Sequence, residues 1–286
     1  GDKSSDQVPA LHEHLYRLGY ATEQLGRVDE AFPIYVKSFT RNPQYLPTLD
    51  RLVELCFERC QWENTQRIAM TIIDNHLEHK SPQQIGELHY KLGLSELLLA
   101  QRAVGVRFLR ELVLDPDEQP TASDEAWTEA AHSWCSTPLE PRLLQRVDQR
   151  TVLGVTRWLQ RCLAYLPDHG DAHQVLAALS LESGEWGQAV RHLEQAARDP
   201  GIPPSLGAQL AAFAGELSLK RLKDRRRASG AFRRALELEP DSAAFRDQLE
   251  ALRPAVESPP PTDEPILLTR VKRRPRSGAS SDSDTD

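Results

Sequence analysis

The chain has 286 residues, with 40% apolar and 27% charged side chains and a formal net charge of −7 at pH 7. That is enough for one large or two ordinary domains around a real core, and the acidic balance argues against a surface devoted to nucleic acid. No apolar run approaches the roughly 18 residues of a membrane span, the opening GDKSSDQVPA lacks the apolar stretch of a signal peptide, and four cysteines in a chain of this length do not make a disulfide framework.

Residues 1–11 are expected to be disordered. From residue 12 the apolar pattern is helical. Leu15, Leu18 and Gly19 precede the stretch GRVDEAFPIYVKSFTRNPQ, residues 26–44, in which Ala31, Tyr35, Ser38 and Pro43 alternate small, large, small and proline. The reading is two helices joined by a tight glycine-bearing turn, with the small residues admitting close helix approach and the large one filling the seam a turn later. The proline ends the second helix. Residues 46–79 follow the same plan in degenerate form: Leu52 and Trp62 fit, Thr65 stands where Ala31 stood, and no proline closes the unit. Residues 82–116 keep Leu92, Gly93 and Pro116, and require a shortened turn around Ala100. These three units form a first block, 12–116.

Between 117 and 168 the period breaks. Ser123 is an N-cap candidate with Asp124 and Glu125 in the first turn, and Trp127, Ala130, Ala131 and Trp134 recur at helical spacing before a longer helix over 142–165. This segment is expected to be a modified helical unit with an insertion. The period returns in a second block, 169–253. Upstream His173, Leu176 and Ala177 lead to Gly184, Ala189, Leu193 and Ala196. Around 209–241 the second helix, with Ala228, Phe232, Ala235 and Pro240, fits better than the first. SAAFRDQLEAL, residues 242–252, supplies a solvating cap helix for the end of an array. Residues 254–286 change to Pro, Ser and Asp around a VKRRPR block and are expected to form a disordered tail.

A unit of about 34 residues with these small, large, glycine and proline positions resembles the tetratricopeptide-repeat (TPR) superfamily. The resemblance covers most of residues 12–252 and implies an all-α, right-handed superhelical solenoid. The excess of arginine over lysine fits a GC-rich bacterial genome. In this superfamily the first helices line a concave face, and its inward positions carried onto these units are Tyr16, Arg17 and Tyr20, then Asp50, Arg51 and Glu54, then Tyr90 and Lys91. Aromatics among cationic groups suit an extended or helical peptide with apolar anchors and acidic groups. The family's carboxylate clamp uses Lys and Asn where Tyr16 and Tyr20 stand here, so that mode is not expected.

No catalytic pattern stands out. HExxH, Gly-rich phosphate loops and Cys-x-x-Cys are absent from the sequence. Cys56 with Cys60 reads as core packing, His169 with His173 as a surface pair in a first turn, and His76 with His79 as imidazoles at a helix end. The run KRLKDRRR, Lys220–Arg227, is either a solvated turn or a phosphate contact, with no interleaved aromatics to stack on bases. The expectation is a cytoplasmic, non-catalytic interaction scaffold that needs no cofactor or metal and binds a protein or peptide. The alternatives are a regulatory or polyanion-linked factor acting through the basic C-terminal block, and a TPR portion of a larger protein. The only methionine, Met70, points to a fragment or processed product.

Overall fold

The computed structural model describes residues 10–113 and 147–252, with residues 102–113 described as backbone alone. The expectations for residues 1–9, for the Ser123 helix with Trp127 and Trp134, and for the tail at 254–286 lie outside the described residues. The chain divides into two units, Gly1–Leu252 and Arg253–Asp286. Eleven α-helices appear among the described residues, and no strand. They are α1 (Leu11–Gln24), α2 (Val28–Arg41), α3 (Leu46–Glu58), α4 (Trp62–His76), α5 (Pro82–Val113), α6 (Gln149–Tyr165), α7 (Gly170–Glu182), α8 (Trp186–Ala196), α9 (Pro204–Leu217), α10 (Arg225–Leu238) and α11 (Ala243–Glu250).

The helices pair in chain order, α1 with α2, α3 with α4, α5 with α6, α7 with α8 and α9 with α10, and each pair stacks on the next through its second helix. The seam within each pair is built as the residue sizes require. Ala31 and Tyr35 are wholly buried on α2, as are Ala189 on α8 and Ala228 and Ala235 on α10, while Leu193 and Phe232 are almost so. Opposite the two aromatic rings the first helices carry glycine. A Cβ on Gly19 would lie 2.9 Å from the Tyr35 ring, and one on Gly215 2.9 Å from Phe232. The two helices approach because one side has no side chain and the other has a flat ring to fill the space. Between pairs, Thr48 on α3 donates to Ser38 Oγ on α2 at 2.8 Å, and Ser38 donates to the His12 carbonyl on α1 at 2.7 Å. Two buried hydroxyls thus satisfy each other and tie three helices together.

The turns inside the first, second, fourth and fifth pairs share one backbone signature. Gly26 (φ 77°), Cys60 (φ 55°), Gly184 (φ 71°) and Lys223 (φ 57°) all adopt the left-handed conformation, each two positions ahead of the helix that follows. Glycine takes this conformation without a Cβ penalty, whereas Cys60 and Lys223 bear one. From the seam residue to this turn the separation is the same for Gly19 to Gly26, Val53 to Cys60 and Ala177 to Gly184. From Gly215 to Lys223 it is one residue longer. The extra residue is accommodated as a π-helical turn over Ser218–Leu222, the usual way a helix absorbs a single insertion. This is why the first helix around 209 does not match the repeat when read at fixed spacing.

The third pair departs from the sequence expectation. No turn occurs around Ala100; α5 runs straight through it. Leu, Ala, Gln and Arg in LLLAQR are strong helix formers, and no proline stops the helix there. The partner of α5 is therefore α6, which lies beyond the 114–146 segment and starts at Gln149 rather than near 142. Its N-cap is Asp148, which accepts from Thr151 N at 3.0 Å. Val155, Leu159 and Cys162 of α6 join Leu94, Leu97 and Leu98 of α5 and Leu176 and Leu179 of α7 in one buried cluster. At the far end α11 has no buried residue of its own, while Phe245, Leu249 and Leu252 pack against the last core cluster.

Candidate functional site

The sequence-derived candidates lie on α1, α3 and α5, the first helices of three successive pairs. On α1, Tyr16 stands at the centre of an aromatic group. Its ring centroid is 6.2 Å from Tyr20 in a stacked arrangement, 5.9 Å from the buried Tyr35, and 5.7 Å from Tyr45 edge-on. Tyr16 is half-buried; burial pushes its phenol above the ordinary tyrosine value, with Tyr45 and Tyr20 adding to the effect. Tyr20 is 47% exposed and Arg17 is exposed. These two are the side chains of the set most open to a partner.

The charged candidates on α3 and α5 are already matched within the protein. Arg51 pairs with Glu23 of α1, donating from both Nε and the terminal amino group. Glu23 also accepts from Tyr35 Oη at 2.7 Å. Burial acts to raise the Glu23 carboxyl, but the hydrogen bonds from Arg51 and Tyr35 outweigh it and hold the group below the ordinary carboxylate range. Asp50 pairs with Lys80, just ahead of α5. Lys91 of α5 is 7% exposed; its Nζ lies 3.2 Å from Glu54 and 3.9 Å from Glu87, with the Phe57 ring 5.5 Å away. The expected field of free cations is thus a ladder of ion pairs running from α1 through α3 to α5. Spacing places Arg51 and Lys91 on this face and Glu87 one turn before Lys91 on α5, but Glu23 and Glu54 are brought to them by the packing of neighbouring pairs. Tyr90 is half-buried as well, 4.5 Å from the His169 ring and 6.3 Å from Phe57. It packs the floor of the face.

The ladder continues through a residue that spacing assigned to the surface. His169 is the N-cap of α7, its Nδ1 accepting from Ala172 N at 3.2 Å. That leaves the proton on Nε2, which faces Glu87 at 3.6 Å. Burial would lower the imidazole, yet the Glu87 interaction prevails and raises it above the ordinary histidine value. Glu87 in turn is lowered, mainly by His169. His173 points elsewhere. It is buried, its Nε2 donates to the Pro167 carbonyl at 2.9 Å, and its Nδ1 lies 2.9 Å from His192 Nδ1. With the His173 proton on Nε2, His192 is the donor of that contact. Neither His169 nor His173 is an open surface residue, because one packs toward Glu87 of α5 and the other toward His192 of α8.

Two depressions sit along this face. One, of 620 Å³, is lined by Asp50, Arg51, Glu54, Lys80, Gln83 and Glu87 among others. The second, of 790 Å³, runs from the same Gln83 and Glu87 past Tyr165, His169 and Asp171 to Asp199 and Leu206. Their shared residues make them one path across α3, α5 and the starts of α7 and α9. Its far end is acidic, with Asp168, Asp171 and Asp199 among its lining residues.

The other groups singled out in the sequence serve the fold. Cys56 is buried and its thiol is pushed up to about 11 by burial, while Cys60 occupies the left-handed turn. Among the described residues no three His, Cys, Asp or Glu side chains form a group that would hold a metal, and no helix is long and apolar enough to cross a membrane. In the Lys220–Arg227 run, Arg221 lies over the Trp186 ring at 4.6 Å, Arg225 reaches the Ala251 carbonyl at 3.5 Å, and Arg227 forms a two-pronged pair with Glu194 at 2.8 Å. The run holds the last pairs together.

No protein-family model and no curated protein matches the chain. Among solved structures it is similar to a thermophilic TPR protein of Thermus thermophilus, at 16% identity over 84% of this chain and 98% of that one, with a TM-score of 0.37. It is also similar to a tetratricopeptide repeat protein from Parabacteroides merdae, at 16% identity over 87% and 86% of the two chains and a TM-score of 0.35. A third is PilW, a type IV pilus biogenesis factor, at 13% identity over 86% and 99% and a TM-score of 0.38. In this chain stacked hairpins, small-on-large seams and recurring left-handed turns make a TPR-like solenoid of the described residues.

Proposed function

We propose that the chain is a non-catalytic scaffold that holds a segment of a partner protein along the face formed by α1, α3, α5 and α7. The observation that carries this reading is the continuous path through Gln83 and Glu87, with the exposed Tyr20 and Arg17 at the α1 end of the same face. Its polar floor is charge-matched, so a peptide laid across it meets groups that need no new counter-ion. Affinity then comes from anchors desolvated against the Tyr16–Tyr20 stack, with orientation from Arg17 and the acidic far end.

The test uses the two exposed groups rather than the packed Tyr90 and Lys91, whose replacement would disturb the floor itself. Proteins captured from lysate of the source cells by the intact chain are identified, and the partner is purified and titrated. Tyr20→Ala with Arg17→Glu is expected to weaken binding at least about tenfold, with the helical circular dichroism signal unchanged. Normal binding by this variant, together with loss on deleting Arg270–Arg276, would instead assign recognition to the C-terminal basic block.

A further inference from the structure

A further depression, of 480 Å³, opens between α8 and α10, the second helices of the last two pairs, and shares no residue with the two along the first helices. Small side chains give it depth. Ala197 just past α8, Ala211 of α9 and Ala231 of α10 are buried and line it together with Gly230. At Gly19 and Gly215 a ring lies where a Cβ would stand, but a Cβ on Gly230 would meet nothing within 4 Å. Glycine inside a helix weakens it, so Gly230 costs stability without serving the packing between helices. Its effect is to leave the concavity open.

Around these small residues stand Arg198, Arg226, Arg227 and Arg234, against two carboxylates, Glu194 and Asp224. Arg226, Gly230 and Arg234 fall on successive turns of α10, so one face of that helix carries two guanidinium groups with a gap between them. Both carboxylates are committed. Glu194 takes the two-pronged pair from Arg227, and Asp224, the N-cap of α10, accepts from the Arg227 backbone N–H at 2.9 Å. The other arginines are not. Among the described residues the Arg226 side chain has no hydrogen-bond or ion-pair partner, and Arg198 has only a 3.4 Å contact with Gln195. Arg234 reaches Glu237 at 3.0 Å through one terminal amino group, while its Nε is buried without a hydrogen-bond partner, a donor whose lost hydration an acceptor would offset. A chain of net charge −7 thus holds a concavity with surplus guanidinium groups, unlike the charge-matched floor along α3 and α5.

We infer that this concavity binds a phosphomonoester. Guanidinium groups arriving from α10 and from the end of α8 suit the several oxygens of a phosphate dianion, which accept forked pairs from more than one arginine, whereas a single carboxylate is satisfied by one. None of the lining residues is aromatic, so the site has no stacking surface for the bases of a nucleic-acid strand. The group recognised is the phosphate itself, free or carried on a serine or threonine of another protein. The inference is independent of the peptide-binding reading, which uses first helices where this site uses second ones.

NMR titration of the full chain in about 150 mM chloride tests it, with four probes: inorganic phosphate, a short phosphoserine peptide, the same peptide unphosphorylated, and a single-stranded oligonucleotide. The expected result is saturable binding of one phosphate group per chain, with a dissociation constant on the order of 0.1–1 mM for inorganic phosphate, and none of the unphosphorylated peptide. A tighter phosphopeptide assigns the phosphate to a protein, and equal affinities assign it to the free ion. Arg226→Gln should weaken binding at least about tenfold, and Arg226→Lys by less. Gly230→Leu alters no charge, fills the concavity and should weaken binding as much, while the melting temperature holds or rises because leucine is the better helix former. No saturable binding of either phosphate probe, binding that Gly230→Leu leaves intact, or an oligonucleotide held more tightly than the phosphopeptide would each overturn the inference.

Discussion

Single residues in this protein are chosen mostly by backbone demands at the hairpin turns. Four turns place a residue in the left-handed region, and glycine fills two of them. Lys223 is exposed and holds φ 57° and ψ 25°, a conformation that costs a side-chain-bearing residue about 1–3 kcal/mol. Glycine there loses roughly 0.5–1 kcal/mol in chain entropy on folding. Lys223→Gly is thus expected to raise unfolding free energy by about 1 kcal/mol, read in a urea titration as a higher midpoint at unchanged slope. Gly184→Ala should shift the midpoint the other way.

Pairs of elements are held by size complementarity, and the seams leave little slack. Ala189 has no exposed surface and lies between α7 and α8, while Ala31 and Ala228 hold the same place in their own pairs. Leucine at any one of them forces the helices apart, at a cost of about 1–3 kcal/mol. The check is the melting temperature of Ala189→Leu, Ala31→Leu and Ala228→Leu, all expected to fall. Three unchanged values would overturn this register of the repeats. The π-helical turn at Ser218–Leu222 shows the same constraint from the other direction. The chain admits an extra residue between Gly215 and Lys223 by widening one turn, and the glycine-on-ring contact to Phe232 is kept.

At the scale of the whole molecule, two histidine contacts link stability to pH in opposite senses. His192 is pushed down to about 4, first by burial and then by His173, while an unfolded histidine titrates near 6.5. Between pH 6.5 and 4 the unfolded chain takes up a proton that the folded one refuses, so stability falls as pH falls through that window. His169 is raised through its pairing with Glu87, burial notwithstanding. Its contribution is complete below about 6.5 and is lost as pH rises through its folded value. Thermal melts across pH should therefore decline on both sides. His192→Gln should flatten the acid limb, and His169→Asn, which keeps an N-cap residue on α7, should flatten the limb on the alkaline side.

The amino-acid sequence alone determined the features that are local. Ala31 with Tyr35, Ala189 with Leu193 and Ala228 with Phe232 mark the seams because close helix approach needs a small residue one turn from a large one. Gly26 and Gly184 mark turns because the left-handed backbone favours them. Only the tertiary structure decided what depends on partners far along the chain. It joined α5 to α6 across the 114–146 segment, since continuation of a helix is a local preference but the choice of its partner is not. It converted Arg51, Lys91 and Asp50 from open binding groups into a ladder with Glu23, Glu54 and Lys80, because side chains roughly thirty to forty residues apart meet only when one hairpin stacks on the next. It separated His169 from His173, sending one to Glu87 and the other to His192, although sequence spacing sets them on one helical face. It also left Leu11, Leu18 and Leu25 uncovered. In sequence Leu18 reads like Leu176, the buried leucine that holds its place in α7, and the difference between core and surface is made by the helix that packs there.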